Sequence, residues 1–374
     1  MSWSAGFGCG IITPDVPVML AGFSERQHPA ERVHDELQAR ALYLSDGTRA
    51  VCLIVCDLLG MSAEYAEPVR KAIASKLGLD SAAVLTAATH THAGPSALSG
   101  TAALGWPEPE GYVDILVRGC LAAAVKAEAS VAPAELFYGR APLPADVSYN
   151  RRGHPYDPWF AVLDVRDASG ARIGTLANIG VHPVVLGSGW LEVSADWVGF
   201  FRTELERTAG GTTVMLSGAL GDVNPVERHT DVEIHLAEAV EEAEAIGRAL
   251  AEAVHHALGA ARPVDGALTY TSRAIDVAAG GTPLSQLLSP GGRIAVEFVN
   301  WSIGSVPLVT APGEAFHALG NAIAEAHGGN VLIAGLSPAW NGYLPMPYGE
   351  GYEEMVSFGP DAVAAISAAM TKGS

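Results

Sequence analysis

The stretch AVCLIVCDLLG, residues 50–60, gives the first indication of the fold class of this chain. Residues 51–59 are apolar apart from Asp57, as in strands that are buried on both faces of a sheet. A helical pattern follows at 64–79, with Val69, Ile73 and Leu77 on one side, and a strand is predicted at 83–91. Strands that alternate with helices in this way predict an α/β protein.

The alternation continues along the sequence. Helices are predicted at 112–128, 195–207, 231–258 and 315–326, the second of them capped by Ser194. Strands are predicted at 159–166, 172–181, 214–220 and 331–336, and near Tyr270, Val299 and Leu308. The strands at 159–166 and 172–181 pair around a turn at 168–170. Because no linker or repeat interrupts the pattern, we predict a single α/β domain over residues 1–374, with mixed β-sheets flanked by helices.

Composition limits the partners of this chain. Of the 374 residues, 49% are hydrophobic and 17% are charged, which suits a large core and argues against disorder. The formal charge of −19 opposes binding to nucleic-acid phosphates and to anionic lipid head groups. No apolar run approaches the ~18 residues of a membrane span. With no visible signal peptide and no CxxC pair among four cysteines, a cytoplasmic location is expected, although a chain whose leader had been removed would look the same.

Histidines and other polar residues follow the predicted strands. In THTHAGP, residues 89–95, His90 and His92 occupy positions i and i+2, so both face one way if the segment is extended. A pair of this kind is either a metal site or, more often, two hydrogen-bonded loop histidines. His182 in GVHP also ends a strand, where a single histidine is more often structural.

Two later segments carry further candidates. Glu314 in TAPGE is predicted in the first turn of a helix, where it either serves the site or compensates the helix dipole. Tyr343, Tyr348 and Tyr352 lie in an irregular segment and are packing or binding residues. The sequence has no GxSxG elbow, no P-loop and no GxGxxG turn. The remaining histidine and carboxylate set suits zinc better than magnesium or calcium.

Taken in order, these segments resemble the neutral ceramidase family. The resemblance runs to about residue 355 and rests on VHDELQARALYLSDG, LIVCDLLGM, ATHTHAGP, VSYNRR, GVHPVVLG, SADWVG, GALGDVNP, TAPGEAF, GLSPAWNGYLP and GYEEM. It implies one zinc ion, with the ligands His90, His182, Glu314 and Tyr343. It also implies that the scissile amide is surrounded by His92, Arg151 and Tyr352. The loop after Tyr343 is shorter than in the ceramidases, so Tyr348 competes with Tyr352 for the last role.

The implied roles agree with the chemistry of these residue types. Zinc with an open position lowers the pKa of a bound water towards ~7. His92 is then the expected general base and acid, while Arg151 and Tyr352 stabilise the oxyanion or orient the substrate. Three aspartates in or after predicted strands could support the site: Asp57, Asp196 and Asp222. Each of them either fixes a histidine tautomer or caps a helix.

Departures from the ceramidase pattern bear on the substrate. Asn224 stands where many ceramidases have serine in GDxSP, and the segment between GDVNP and PGE is much shorter. Little chain follows residue 355, so the additional C-terminal β-sandwich is missing from this sequence. We therefore predict hydrolysis of a linear amide in a small N-acylated metabolite by metal-activated water. The alternatives are an amidase for ceramide or another N-acyl lipid; an esterase, lactonase or acyl-transfer cyclase with the same zinc centre; and a non-catalytic zinc-binding protein.

Overall fold

The computed structural model describes residues 2–226 and 236–371. Within these ranges the strands are β1 (Trp3–Ile11), β2 (Arg32–Val33), β3 (Gln38–Ser45), β4 (Ala50–Cys56), β5 (Val84–Ala88), β6 (Ala132–Pro142), β7 (Ser148–Asn150), β8 (Trp159–Arg166), β9 (Arg172–Ile179), β10 (Glu192–Val193), β11 (Thr212–Ser217), β12 (Val223–Pro225), β13 (Arg262–Pro263), β14 (Leu268–Ala278), β15 (Arg293–Ile303), β16 (Val306–Ala311), β17 (Glu314–Ala315), β18 (Leu332–Gly335) and β19 (Tyr343–Leu344). The α-helices are α1 (Ala63–Leu77), α2 (Tyr112–Ala129), α3 (Trp197–Ala209), α4 (Leu236–Ala260), α5 (Pro283–Leu288), α6 (His317–Ala326), α7 (Tyr352–Met355) and α8 (Pro360–Thr371). Short 3-10 turns lie at Ser81–Ala83 and Thr101–Leu104.

The largest sheet is mixed. Its strands follow the order β11-β9-β8-β6-β1-β3-β4-β5, and β13 pairs with β6. The β4–β5 and β11–β9 pairs are parallel, whereas the other neighbours are antiparallel. A second sheet has the order β14-β15-β16-β18. Mixed sheets flanked by helices confirm the predicted fold class.

Alternate residues of the central strands pack into two cores. In β4, Ile54 faces the core beneath the helices, whereas Leu53 faces a core shared with the second sheet, to which Trp301 and Leu332 contribute. This alternation explains why the strand is apolar at every position, since neither of its faces meets water.

Glycines let a helix approach the large sheet closely. Gly6, Gly8 and Gly10 alternate along one face of β1, against α2. A Cβ atom at any of them would lie only 2.0–2.1 Å from a backbone oxygen of that helix. The pattern GFGCG is therefore a packing requirement of this interface.

Buried polar side chains join the two sheets near the carboxyl ends of their strands. Asn178 of β9 donates to the Ile333 carbonyl at 2.8 Å and accepts from the Ile333 amide at 2.7 Å. Ser337, just after β18, donates to the Thr86 carbonyl of β5 at 2.6 Å. The strand ends that carry the conspicuous polar residues are thereby fixed relative to one another.

Several predicted boundaries change in the structure. The predicted strand at 83–91 ends at Ala88, and α3 is capped by Asp196, whose carboxylate accepts from the Trp197 amide at 2.6 Å, rather than by Ser194. The predicted helix at 315–326 begins at His317. The long helix α4 is confirmed from Leu236, and the predicted residues 231–235 lie outside the described ranges. No helix within those ranges combines the length and apolar composition that crossing a bilayer requires.

Candidate metal centre

Three side chains from separate strand ends meet with unsatisfied polar atoms. His90 follows β5, His182 follows β9, and Glu314 begins β17. Glu314 Oε2 lies 3.1 Å from His90 Nε2 and 3.3 Å from His182 Nε2. All three residues are buried, and none of these three atoms has a hydrogen-bond partner with acceptable geometry among the described residues. Buried polar atoms are normally satisfied, so this arrangement fits a bound cation.

Backbone carbonyls orient both imidazoles. His90 Nδ1 lies 2.5 Å from the Leu59 carbonyl oxygen, and His182 Nδ1 lies 3.0 Å from that of Val223. Because a carbonyl only accepts, each Nδ1 carries a proton, and in the neutral imidazole each Nε2 then presents a lone pair towards Glu314. A metal-binding histidine has this tautomer and this kind of support.

His92 completes a cluster of three histidines. The ring centroids are separated by 4.8 Å for His90–His182, 5.0 Å for His90–His92 and 5.9 Å for His92–His182. One nitrogen from each ring lies within 4.8 Å of the others. Both ring nitrogens of His92 are shielded from solvent and lack partners in the described part of the chain. A Cβ on Gly22 would lie 2.4 Å from His92 Nδ1, so glycine is needed for this close contact.

The two histidines of THTH do not converge in the predicted way. The segment is not an extended strand, since β5 ends at Ala88 and His90 has a left-handed backbone with φ of 73°. This conformation is uncommon for a residue other than glycine, and such residues tend to cluster at functional sites. A tight turn, instead of strand alternation, therefore brings His90 and His92 together.

Burial and charge set the protonation of the cluster. Burial lowers the pKa of His182 to about 4, and burial followed by repulsion from His90 and His182 lowers the pKa of His92 well below its usual range. Burial alone would raise the pKa of Glu314, but His90 and His182 outweigh it and hold that pKa well below its ordinary value. Near neutral pH, Glu314 is thus ionised and His92 and His182 are neutral, which is the state that binds a divalent cation.

Glu314 and Tyr343 are held together by backbone pairing. Their strands, β17 and β19, are parallel neighbours in which Glu314 is paired with Tyr343. Burial and the charge of Glu314 raise the pKa of the buried Tyr343 well above its usual value. A cation beside the hydroxyl would act in the opposite direction and favour the phenolate.

Arg151 connects this tyrosine to the surrounding loops. Its Nη2 donates to the Gly221 carbonyl at 2.6 Å and to the Tyr343 hydroxyl at 3.3 Å, and its Nη1 donates to Asn224 Oδ1 at 3.2 Å. Asn224, which replaces the serine of the ceramidase pattern, thus helps to orient the guanidinium.

The two competing tyrosines take different positions. The Tyr352 ring lies 6.0 Å from that of Tyr343, edge to face, and 51% of Tyr352 is exposed. Burial raises the pKa of its hydroxyl to about 12. The Tyr348 hydroxyl instead lies 3.2 Å from Ser357 Oγ. Of the two, Tyr352 is the one in contact with Tyr343.

None of the three aspartates fixes a histidine tautomer in this structure. Asp57 forms a two-pronged ion pair with Arg202, both distances being 2.8 Å. Asp196 caps α3, as one of its two interpretations predicted. Asp222 accepts from the His317 amide at the start of α6, at 2.7 Å. The backbone carbonyls described above orient the histidines instead. Because every residue has a carbonyl, the sequence could not indicate which ones take this role.

Trp340 is a supporting residue that the sequence interpretation missed. Its indole Nε1 donates to Glu314 Oε1 at 2.9 Å, which leaves Oε2 facing the histidines. The only signal was its place in GLSPAWNGYLP, between Glu314 and Tyr343 along the chain.

A comparison with protein families identifies a family to which this chain is similar. The family model described as neutral/alkaline non-lysosomal ceramidase, N-terminal, matches residues 3–225, more than half of the chain. The chain belongs to this ceramidase family. The matched region contains His90, His92, Arg151 and His182.

Similar proteins extend the comparison beyond residue 225. Neutral ceramidase of Pseudomonas aeruginosa is 26% identical over an alignment of 247 residues that covers 59% of this chain and 36% of that protein. The alignment thus spans about a third of the relative's length. The crystal structure of neutral ceramidase from Pseudomonas aeruginosa has a TM-score of 0.84 at 20% identity and covers 99% of this chain and 74% of that one. A ceramidase complexed with C2 has a TM-score of 0.83 at 19% identity, with the same coverage. At these identities the likeness shows that this ceramidase-family chain has the ceramidase fold over nearly all its length.

Proposed function

We propose that this chain is a zinc-dependent hydrolase that cleaves a linear amide bond in a small N-acylated metabolite. The observation that carries the proposal is the convergence of three buried, unsatisfied atoms: His90 Nε2, His182 Nε2 and Glu314 Oε2. Nitrogen and oxygen donors of this kind suit zinc. Tyr343 is the proposed fourth ligand, because β17–β19 pairing places it beside Glu314.

A zinc ion held there would supply a Lewis acid and lower the pKa of a coordinated water towards ~7. His92 is the proposed general base, since it is neutral near pH 7 and has two unpartnered ring nitrogens. After accepting a proton, His92 would return it to the leaving amine. Arg151 and Tyr352 would orient the carbonyl and stabilise the charge that develops on its oxygen.

The proximity of the three histidines provides a competing ligand set. His92 could replace Glu314 or Tyr343 as a ligand, because one nitrogen from each histidine lies within 4.8 Å of the others. We assign His92 to proton transfer because neither of its ring nitrogens has the carbonyl support that orients His90 and His182. Metal content of the separate variants distinguishes the two assignments.

The proposed preference for a small substrate rests on charge. The chain has a formal charge of −19, and Glu238 and Glu241 are exposed on α4, although Glu242 of the same helix is buried. Such a surface opposes approach to an anionic bilayer.

Ceramide is the second candidate substrate, favoured by the family and by one surface feature. Met355 is 50% exposed and lies one helical turn after Tyr352, which is 51% exposed, so an apolar edge adjoins the proposed site. Esters, lactones and acyl transfer would use the same centre, because metal-assisted attack on a carbonyl does not select the nucleophile.

The test is a competition assay on the zinc-loaded protein. Short N-acyl amines and N-acyl amino acids compete with ceramide in detergent micelles, with and without a chelator. We expect chelator-sensitive cleavage and a higher kcat/KM for the short amides. A preference for ceramide that rises with chain length would select the lipid substrate, and cleavage unaffected by metal removal would overturn the zinc mechanism.

A cytoplasmic location also stays a proposal, which cell fractionation tests.

A further inference from the structure

Two consecutive arginines and two buried, consecutive glutamates form an ion-pair cluster beside the proposed site. Glu353 is 4% exposed and Glu354 is 5% exposed. Glu353 Oε1 accepts from Arg151 Nε at 2.9 Å, and Glu353 Oε2 accepts from Arg152 Nη1 at 2.7 Å. Arg152 also donates to both oxygens of Glu354, each at 3.3 Å. The four formal charges cancel, but only with Arg152 in place.

The cluster holds a segment that has little structure of its own. The helix α7, Tyr352–Met355, is a single turn with no side-chain cap. One turn cannot offset the cost of helix nucleation, so contacts with the rest of the chain must fix its position. The two residues after Tyr352 are the glutamates that bind Arg152.

The preceding loop is fitted to the same arginine. Arg152 Nη2 donates to the Glu350 carbonyl at 3.2 Å, and Glu354 Oε1 accepts from the Gly349 amide at 3.1 Å. A Cβ on Gly351 would lie 2.0 Å from Arg152 Nη1. The guanidinium therefore fills the space that glycine leaves immediately before Tyr352.

We propose that Arg152 is a positioning residue that, through Glu353 and Glu354, holds Tyr352 and Arg151 in the geometry needed for catalysis. This inference rests on the proposed function of the site. Arg152 itself reaches neither Tyr343 nor the histidine cluster in any contact that the structure records. Its effect passes through Glu353, which it shares with Arg151, and through α7, which begins with Tyr352.

The first experiment is a double-mutant cycle between Arg152→Gln and Tyr352→Phe. Small displacements of reacting groups cost up to about 100-fold in rate, so we expect Arg152→Gln alone to lower kcat/KM by about 10- to 100-fold, mainly through kcat. In the Tyr352→Phe background the same change should cost at least about threefold less than in the parent protein, because the part of its effect that passes through Tyr352 is already lost. Arg152→Lys should restore part of the rate. Zinc content should stay that of the parent protein.

Arg207→Gln is the matched control. It also removes an arginine–glutamate pair, but this pair lies on α3 and its arginine side chain is 68% exposed. It should leave kcat/KM unchanged. Glu354→Gln is a milder second variant, in case Arg152→Gln folds poorly. An equal loss from Arg152→Gln in both Tyr352 backgrounds, or no loss in either, would overturn the inference.

Backbone hydrogen exchange separates this inference from the proposed function. Arg152→Gln should exchange faster than the parent at residues 345–356, while β5 and β9 should not change. If the parent protein cleaves no amide, the proposed function fails while this measurement still decides whether Arg152 holds the segment. Unchanged exchange at 345–356 would refute the positioning role even in an active hydrolase.

Discussion

Replacing Trp340 with phenylalanine tests how the proposed ligand Glu314 is held. The variant loses the bond from the indole Nε1 to Glu314 Oε1, which measures 2.9 Å and is buried. A hydrogen bond to a charged group contributes about 1.5–3 kcal/mol. Loss of a residue that orients a metal ligand typically weakens metal binding about 10- to 100-fold. We therefore expect zinc affinity to fall by this factor, while kcat at saturating zinc changes little.

The assay is competitive zinc titration against a chromophoric chelator. The matched control is Trp159→Phe, because Trp159 Nε1 also donates at 2.8 Å but to Asn321, which is not one of the proposed metal ligands. Both variants lose an indole and its hydrogen bond, and only the first touches a proposed ligand. Equal zinc affinity in the two variants would refute the idea that Trp340 prepares Glu314 for the metal.

Three other predictions test the site and the fold. His182→Ala should lose both zinc and activity in metal analysis and rate assays; full zinc retention would show that the ligand assignment is wrong. His92→Ala should keep zinc and lose about 10²–10⁴-fold in rate, whereas His90→Ala should lose the metal; equal metal loss in the two variants would contradict these separate roles. Asp57→Asn should lower the free energy of unfolding by about 3–5 kcal/mol, since it leaves Arg202 buried without its carboxylate. Asp276→Asn, in an ion pair whose side chains are more than half exposed, should cost under about 1 kcal/mol, and denaturant titration compares the two.

Local patterns predicted the fold class because burial leaves a strong trace in the sequence. The apolar run at 51–59 is a doubly buried strand, β4, and the paired strands β8 and β9 have the predicted turn between them. The hydrogen bonds by which Asn178 and Ser337 join the two sheets could not be predicted, since each bond links residues more than 150 positions apart along the chain.

The members of the candidate site were easier to predict than its geometry. The structure brings His90, His92, His182 and Glu314 together, as the family resemblance implied, and their roles stay predictions. The left-handed His90 and the carbonyls of Leu59 and Val223 left no signal, because a histidine is not marked in the sequence as left-handed and every residue carries a backbone carbonyl. Asp57 follows a strand, as an aspartate that orients a metal-binding histidine would, yet it pairs with Arg202 in the core.

Anomalous diffraction at the zinc edge, from crystals of the zinc-loaded protein, tests the central claim most directly. We expect one peak per chain, about 2.0–2.2 Å from His90 Nε2, His182 Nε2 and Glu314 Oε2, with the Tyr343 oxygen as the fourth protein ligand and His92 outside bonding distance. A peak bound by His92 in place of Glu314, or no peak within reach of His90 and His182, would contradict it.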